Sequence, residues 1–145
     1  MPEQITLAGE QGSLVIQVYG YERPSAEDQD DANWLRCELA VRVGPFAGTF
    51  KAAFTTYDLI AFSERLRSAV TTLSGTLSFQ NTEGDIDLAI ALDKRGGAVI
   101  KGRANPSGWL ETSLQFRFDS DQSYLTKTLG QLEAVLRRFP AKQTQ

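Results

Sequence analysis

Histidine is absent from all 145 residues of this chain, and cysteine and methionine occur once each. Without imidazole, the commonest general acid/base at neutral pH and the commonest metal ligand are both missing. That excludes every Ser-His-Asp and Cys-His arrangement and every histidine-ligated metal site. The lone Cys37 cannot close an intrachain disulfide, which fits a reducing compartment. No run reaches the roughly 20 apolar residues that span a bilayer. The opening Met1-Pro2-Glu3-Gln4 has no basic region and no long apolar stretch. The sequence therefore predicts no signal peptide, no membrane segment and a cytoplasmic protein. A basic stripe is missing too: Lys and Arg number 15 against 18 Asp and Glu, for a net charge of -3, which argues against nucleic acid.

What remains is a folding composition. Hydrophobic residues make up 41% and charged residues 23%. A chain this long buries about 68–70% of the surface it exposes when unfolded, so it needs neither metal nor disulfide to fold. Residues 1–145 read as one domain, with 141–145 as a frayed tail.

Period-two alternation predicts strands over 5–8 and 13–19, with Leu14, Ile16 and Val18 on one face and Gly9-Glu10-Gln11-Gly12 as the turn. Residues 20–31 read as a polar loop of the length that is often functional or disordered. A second hairpin follows. Asn33, Leu35, Cys37, Leu39, Val41 and Val43 share one face; Gly44-Pro45 turns; Phe46, Gly48, Phe50, Ala52 and Phe54 form the next apolar face. Leu59, Phe62, Leu66, Val70 and Leu73 then take helical spacing, with Thr55 or Thr56 as N-cap and Asp58 near the positive end of the dipole. Four more strands are predicted over 76–80, 85–93, 98–104 and 109–118. Leu110 is placed inward, and Asp85, Asp87, Trp109 and Glu111 outward. A C-terminal helix over 121–139 carries the stripe Leu125, Leu129, Leu132, Val135, Leu136 and Phe139 before Pro140 stops it. The expectation is an α+β fold. It is mainly antiparallel sheet, about eight strands in a meander or sandwich-like arrangement, with one central and one C-terminal amphipathic helix. No repeat at a fixed long period is visible.

Three groups of residues invite a chemical reading. Asp85, Asp87 and Glu111 on one outer face have the residue types of a glycosidase pair; on an exposed sheet the same charges keep the face soluble and block edge pairing. Glu27, Asp28, Asp30 and Asp31 crowd into one loop without the Asp-x-Asp-x-Asp-Gly spacing or closing Glu of a calcium site. Neither a metal nor any other cofactor is expected; a basic partner suits the loop better. Trp34 and Trp109 fall on the polar faces of their strands, either as interface anchors or beneath a helix. The glycine pairs are turn chemistry, not phosphate cradles.

Gly20-Tyr21-Glu22-Arg23-Pro24, followed by Asp31-Ala32-Asn33-Trp34-Leu35, resembles the bacterial WapI-type immunity protein family. The likeness continues through GPFAGTFKAAFTTYDLIAF, NTEGDIDLAIALDKRGG and LQFRFDSDQSYLTKTLGQLEAVLRRFP, and so covers most of the chain. It implies a non-enzymatic protein that binds and blocks a cognate toxin. It supplies no catalytic residues, and the gap from Ser25 to Asp30 matches no family pattern. Charge reasoning adds a basic toxin as partner, with Tyr21, Asp28, Asp30, Asp31 and Trp34 as contact candidates. The alternatives are a carbohydrate-binding or glycosidase-like domain using Asp87, Glu111 and the tryptophans, and a structural or oligomerisation module.

Overall fold

The computed structural model describes residues 3–142 and, within them, every side chain except those of residues 29 and 30. Its element order is four strands and a long helix, twice over. The first set is β1 (Glu3–Ala8), β2 (Gly12–Tyr21), the single-turn α1 (Gln29–Ala32), β3 (Trp34–Val43), β4 (Phe46–Thr55) and α2 (Thr56–Thr72). The second is β5 (Thr76–Gln80), β6 (Ile86–Leu92), β7 (Gly97–Ala104), β8 (Leu114–Asp121) and α3 (Gln122–Arg138). Each set of strands is a four-stranded antiparallel meander in sequence order. The α+β expectation holds, with a symmetry of parts that no sequence repeat announced.

Alternation does what it predicts. Leu14, Ile16 and Val18 of β2, Leu35, Cys37, Leu39 and Val41 of β3, and Ile86, Leu88, Ile90 and Leu92 of β6 all point into one buried cluster. That cluster takes residues from all eight strands and both long helices. The helices pack on each other and along the first strand of each sheet, α3 on β1 and α2 on β5. Phe62 stacks on Phe79 at 4.3 Å, tying α2 to β5. Thr55 caps α2 through a capping box with Asp58, and Asp121 caps α3 by accepting from the Tyr124 amide.

Five local expectations are corrected. Strand β8 starts at Leu114, not 109. Residues 109–113 turn instead, with Trp109 N–H donating to the Pro106 carbonyl, Thr112 N–H to that of Trp109, and Glu111 at φ 58°. Leu110, expected inside, is therefore 92% exposed. Asp85, expected on the outer face, is 3% exposed: it precedes the ladder that begins at Ile86, and its carboxylate accepts from Asn81 Nδ2 at 3.0 Å. Phe46 is 63% exposed because β4 begins beyond the core's edge. The loop expected over 20–31 is shortened by β2 at one end and by α1 at the other.

Candidate functional site

The contact candidates gather at one end of the first sheet, where the β2–β3 connection meets the start of α2 and the tail after α3. Asn33 is the hub. It is fully buried in the turn between α1 and β3, in phase with the apolar face of the strand that follows. Its Oδ1 accepts from the Lys142 N–H at 2.7 Å, and its Nδ2 donates to the Lys142 carbonyl at 3.0 Å and to the Tyr57 hydroxyl at 3.3 Å. Its own carbonyl accepts from the Thr56 N–H and hydroxyl. A buried amide with partners on both ends behaves as a rivet, because removing it strands polar groups away from water.

Tyr21 ends β2 and holds the same tail. Its hydroxyl donates to the Pro140 carbonyl at 2.5 Å, and its ring meets Phe139 edge-on at 5.6 Å between centroids. The Lys142 ammonium lies 4.0 Å from the Tyr21 ring centroid and donates to the Pro24 carbonyl at 3.2 Å. Partial burial raises the Tyr21 hydroxyl above its ordinary pKa. Residues 141 and 142, expected to fray, are thus part of the site; 143–145 lie outside the described residues.

Asp28 Oδ1 accepts from the Asp31 N–H at 3.2 Å, capping the start of α1, and Asp31 pairs with Arg23 at 3.3 Å. Both members of that pair are well exposed, so it orders the loop more than it stabilises the fold. Asp30 sits in α1; its side chain lies outside the described residues. Trp34, half-buried on the outer face of β3, forms one wall of a cleft of about 500 Å³ with Tyr57, Asp58, Arg65, Phe79 and Thr82 among its lining.

The charges in that cleft are committed. Asp58 accepts from the Thr55 N–H, the Thr82 N–H and the Thr82 hydroxyl, clasping α2 to the turn after β5. Arg65 donates to the Ser78 carbonyl. What the arrangement offers is an open cleft walled by Trp34, Tyr57 and Phe79, with Asp28 and Asp31 on the loop that leads into Trp34. The structure brings Tyr21, Asp28, Asp31 and Trp34 into one neighbourhood around Asn33. It also disperses the glycosidase-like set. Asp87 registers against Arg103 on the outer face of the second sheet, Asp85 is buried, and Glu111 lies in the 105–113 loop. Trp109, also in that loop, is 68% exposed and not beneath a helix.

Asn33 and Lys142 were missed as site residues in the sequence. The signal for Asn33 was an amide leading an otherwise apolar strand face. Lys142 gave none, since its role depends on where α3 ends in space. Among the described residues no cluster of carboxylates and cysteine has the geometry to hold a metal ion, and no helix is long and apolar enough to cross a membrane.

No curated protein matches the chain. The Immunity protein WapI-like family matches residues 5–140, and the chain belongs to that family.

Proposed function

We propose that this chain is an immunity protein that binds a cognate toxin polypeptide inside the cell that makes it, and blocks the toxin without catalysing any reaction. Family membership carries the reading. The geometry supports it with two acidic side chains, Asp28 and Asp31, on the loop that leads into Trp34, itself a wall of an open cleft. Aromatic anchors flanked by charge are the usual energetic centre and steering rim of a protein interface. Such an acidic loop suits a basic surface, as on a toxin that acts on nucleic acid and must carry cations to hold phosphates. Competition between contacting bacteria is the setting in which such a pair operates. No cofactor enters the reading.

The test is co-purification with the product of the adjacent gene, followed by binding kinetics. The complex should form, and co-expression should protect cells from the toxin. Asp28→Lys with Asp31→Lys should slow association and flatten its salt dependence, while Trp34→Ala should speed dissociation, each about tenfold or more. A chain that neither binds nor protects refutes the immunity reading. Binding that is indifferent to all three substitutions keeps immunity and removes this surface.

A further inference from the structure

Edge strands are a hazard that folds suppress, because their outward N–H and C=O groups template pairing with another chain. This fold suppresses its own edges with specific clasps. On β1, the Thr6 N–H donates to Gln131 Oε1 at 2.7 Å and the Thr6 carbonyl accepts from the Thr128 hydroxyl at 2.6 Å, both from α3. On β5, the Ser78 carbonyl accepts from Arg65 of α2 at 2.9 Å. On β8, which also touches β2 and β3, the Asp119 carbonyl accepts from the Glu10 N–H at 3.0 Å. Among the described residues the remaining edge, β4, is clasped only at its far end, where the Ala53 carbonyl accepts from Asn81 Nδ2 at 3.0 Å and the Thr55 N–H donates to Asp58 Oδ2 at 2.9 Å.

The Ala53 bond fixes which backbone groups of β4 face outward. Ala53 turns away from β3, so by alternation Ala47, Thr49 and Lys51 turn the same way. Among the described residues none bonds to the outward groups of these three. The stretch is straight ladder against β3 from Phe46 to Thr55, with no bulge to spoil it.

We infer that β4 pairs antiparallel with β4 of a second copy of this chain, centred on Thr49. The sequence of the edge accommodates a second copy in this register: of the dyads on Ala47, Thr49 and Lys51, it is the one that neither opposes like charges nor runs off the strand. Thr49 meets Thr49, and Ala47 meets Lys51 in both directions, so no like charges oppose. Centring on Lys51 would set two ammonium groups against each other, and centring on Ala47 would run off the start of the strand at Phe46. Between the hydrogen-bonded pairs, Phe50 of one copy lies opposite Gly48 of the other. The Gly48 Cβ position has no atom within 4 Å, so that side is open to take an aromatic ring. The two first sheets then continue into one, and the surface used is separate from the acidic loop.

Sedimentation equilibrium on the full chain over a concentration series tests this. The expected result is a reversible dimer. Thr49→Pro deletes an outward N–H and no bond to β3, so it should give a folded monomer by circular dichroism. Ala47→Lys should weaken the dimer and Ala47→Glu should strengthen it, by up to about tenfold in Kd, since each change acts twice across the dyad. These two exposed substitutions decide the matter if Thr49→Pro fails to fold. A monomer at every concentration overturns the inference, as does a dimer indifferent to both Ala47 changes. A monomer whose Ala47, Thr49 and Lys51 amides become protected from exchange only when toxin is added also overturns it, and assigns the edge to a toxin strand.

Discussion

The first half of the molecule, β1 to α2, lengthens its β2–β3 connection (residues 22–33). The second half, β5 to α3, closes the matching β6–β7 connection tightly on Asp93 and Gly97, and lengthens β7–β8 instead (residues 105–113). Both long connections expose large or charged side chains. They differ in how they are held. Residues 22–33 are tied to a tail more than a hundred positions away, through Lys142 to Pro24 and through Asn33 to Lys142. Residues 109–113 are held mainly by each other, through short turns. The ladders carry the fold in both halves; of the two long connections, the first is fixed by hydrogen bonds to a tail more than a hundred positions away, and the second is tied at its base by Asn105 to Asp85 and Gly84. A preorganised loop is what a binding surface requires, because ordering it at the moment of association would subtract from affinity.

The largest effect should come from where the halves touch. A Cβ at Gly9 would lie 1.9 Å from the Asp119 carbonyl oxygen and 2.9 Å from the Phe118 ring. Backbone cannot yield as a side chain does, so Gly9→Ala should cost at least about 3 kcal/mol in urea unfolding. Gly48→Ala, in the same sheet but with nothing within 4 Å, should change stability by less than about 1 kcal/mol. Equal effects would mean that the halves do not meet as described.

The contrast between the two loops is sharpened next. Asn33→Ala strands the Lys142 N–H and carbonyl, and should cost about 2–3 kcal/mol while opening the tail to limited proteolysis. The counterpart at the base of the second loop, Asn105, donates by its side chain only to the Gly84 carbonyl at 3.2 Å. Asn105→Ala should cost about 1 kcal/mol or less. If the two cost the same, the first loop is no better anchored than the second.

How far the sequence could be read follows the same division. Ladder residues were legible because period two and burial are both local rules: Leu35, Cys37, Leu39 and Val41 are inside as alternation demands. The caps were legible too, since Thr55 and Asp58 stand three positions apart. Leu110 was misplaced because its neighbour Glu111 takes a left-handed backbone conformation that nothing in its residue type foretells. Asp85 was misplaced because Asn81 satisfies it from a turn, outside any periodic rule. For the candidate site the sequence offered a list, Tyr21, Asp28, Asp30, Asp31 and Trp34, and not the way that neighbourhood is held together. Asn33 and Lys142 join it through contacts spanning 109 positions, and no window along the chain contains both.

Cys37 separates the sheets by pH. Burial pushes its thiol up to about 12 from an ordinary 9.0, and the second sheet has no such group. The folded state favours the neutral thiol, so its contribution to stability is complete below pH 9. It is lost between 9 and 12, as the unfolded chain gains from ionising, at up to about 1.4 kcal/mol per pH unit. Comparing urea midpoints of the chain and its Cys37→Val variant across that range isolates the slope. Identical profiles would show the thiol to be solvated. The native thiol should also resist a disulfide reagent at pH 8 and react once unfolded.

The smallest expected effect on stability bears most on function. Arg23 and Asp31 lie 3.3 Å apart with side chains 61% and 46% exposed. Solvent screens such a pair, so Asp31→Asn should move the unfolding free energy by less than about 0.5 kcal/mol. If the acidic loop exists to meet a basic partner, the same substitution should still slow association with the toxin and reduce its dependence on salt, because long-range steering responds to net charge rather than to local bond strength. A loss of stability without a change in association would make Asp31 a structural residue of the loop. A change in association at constant stability would place it on the surface that the toxin sees.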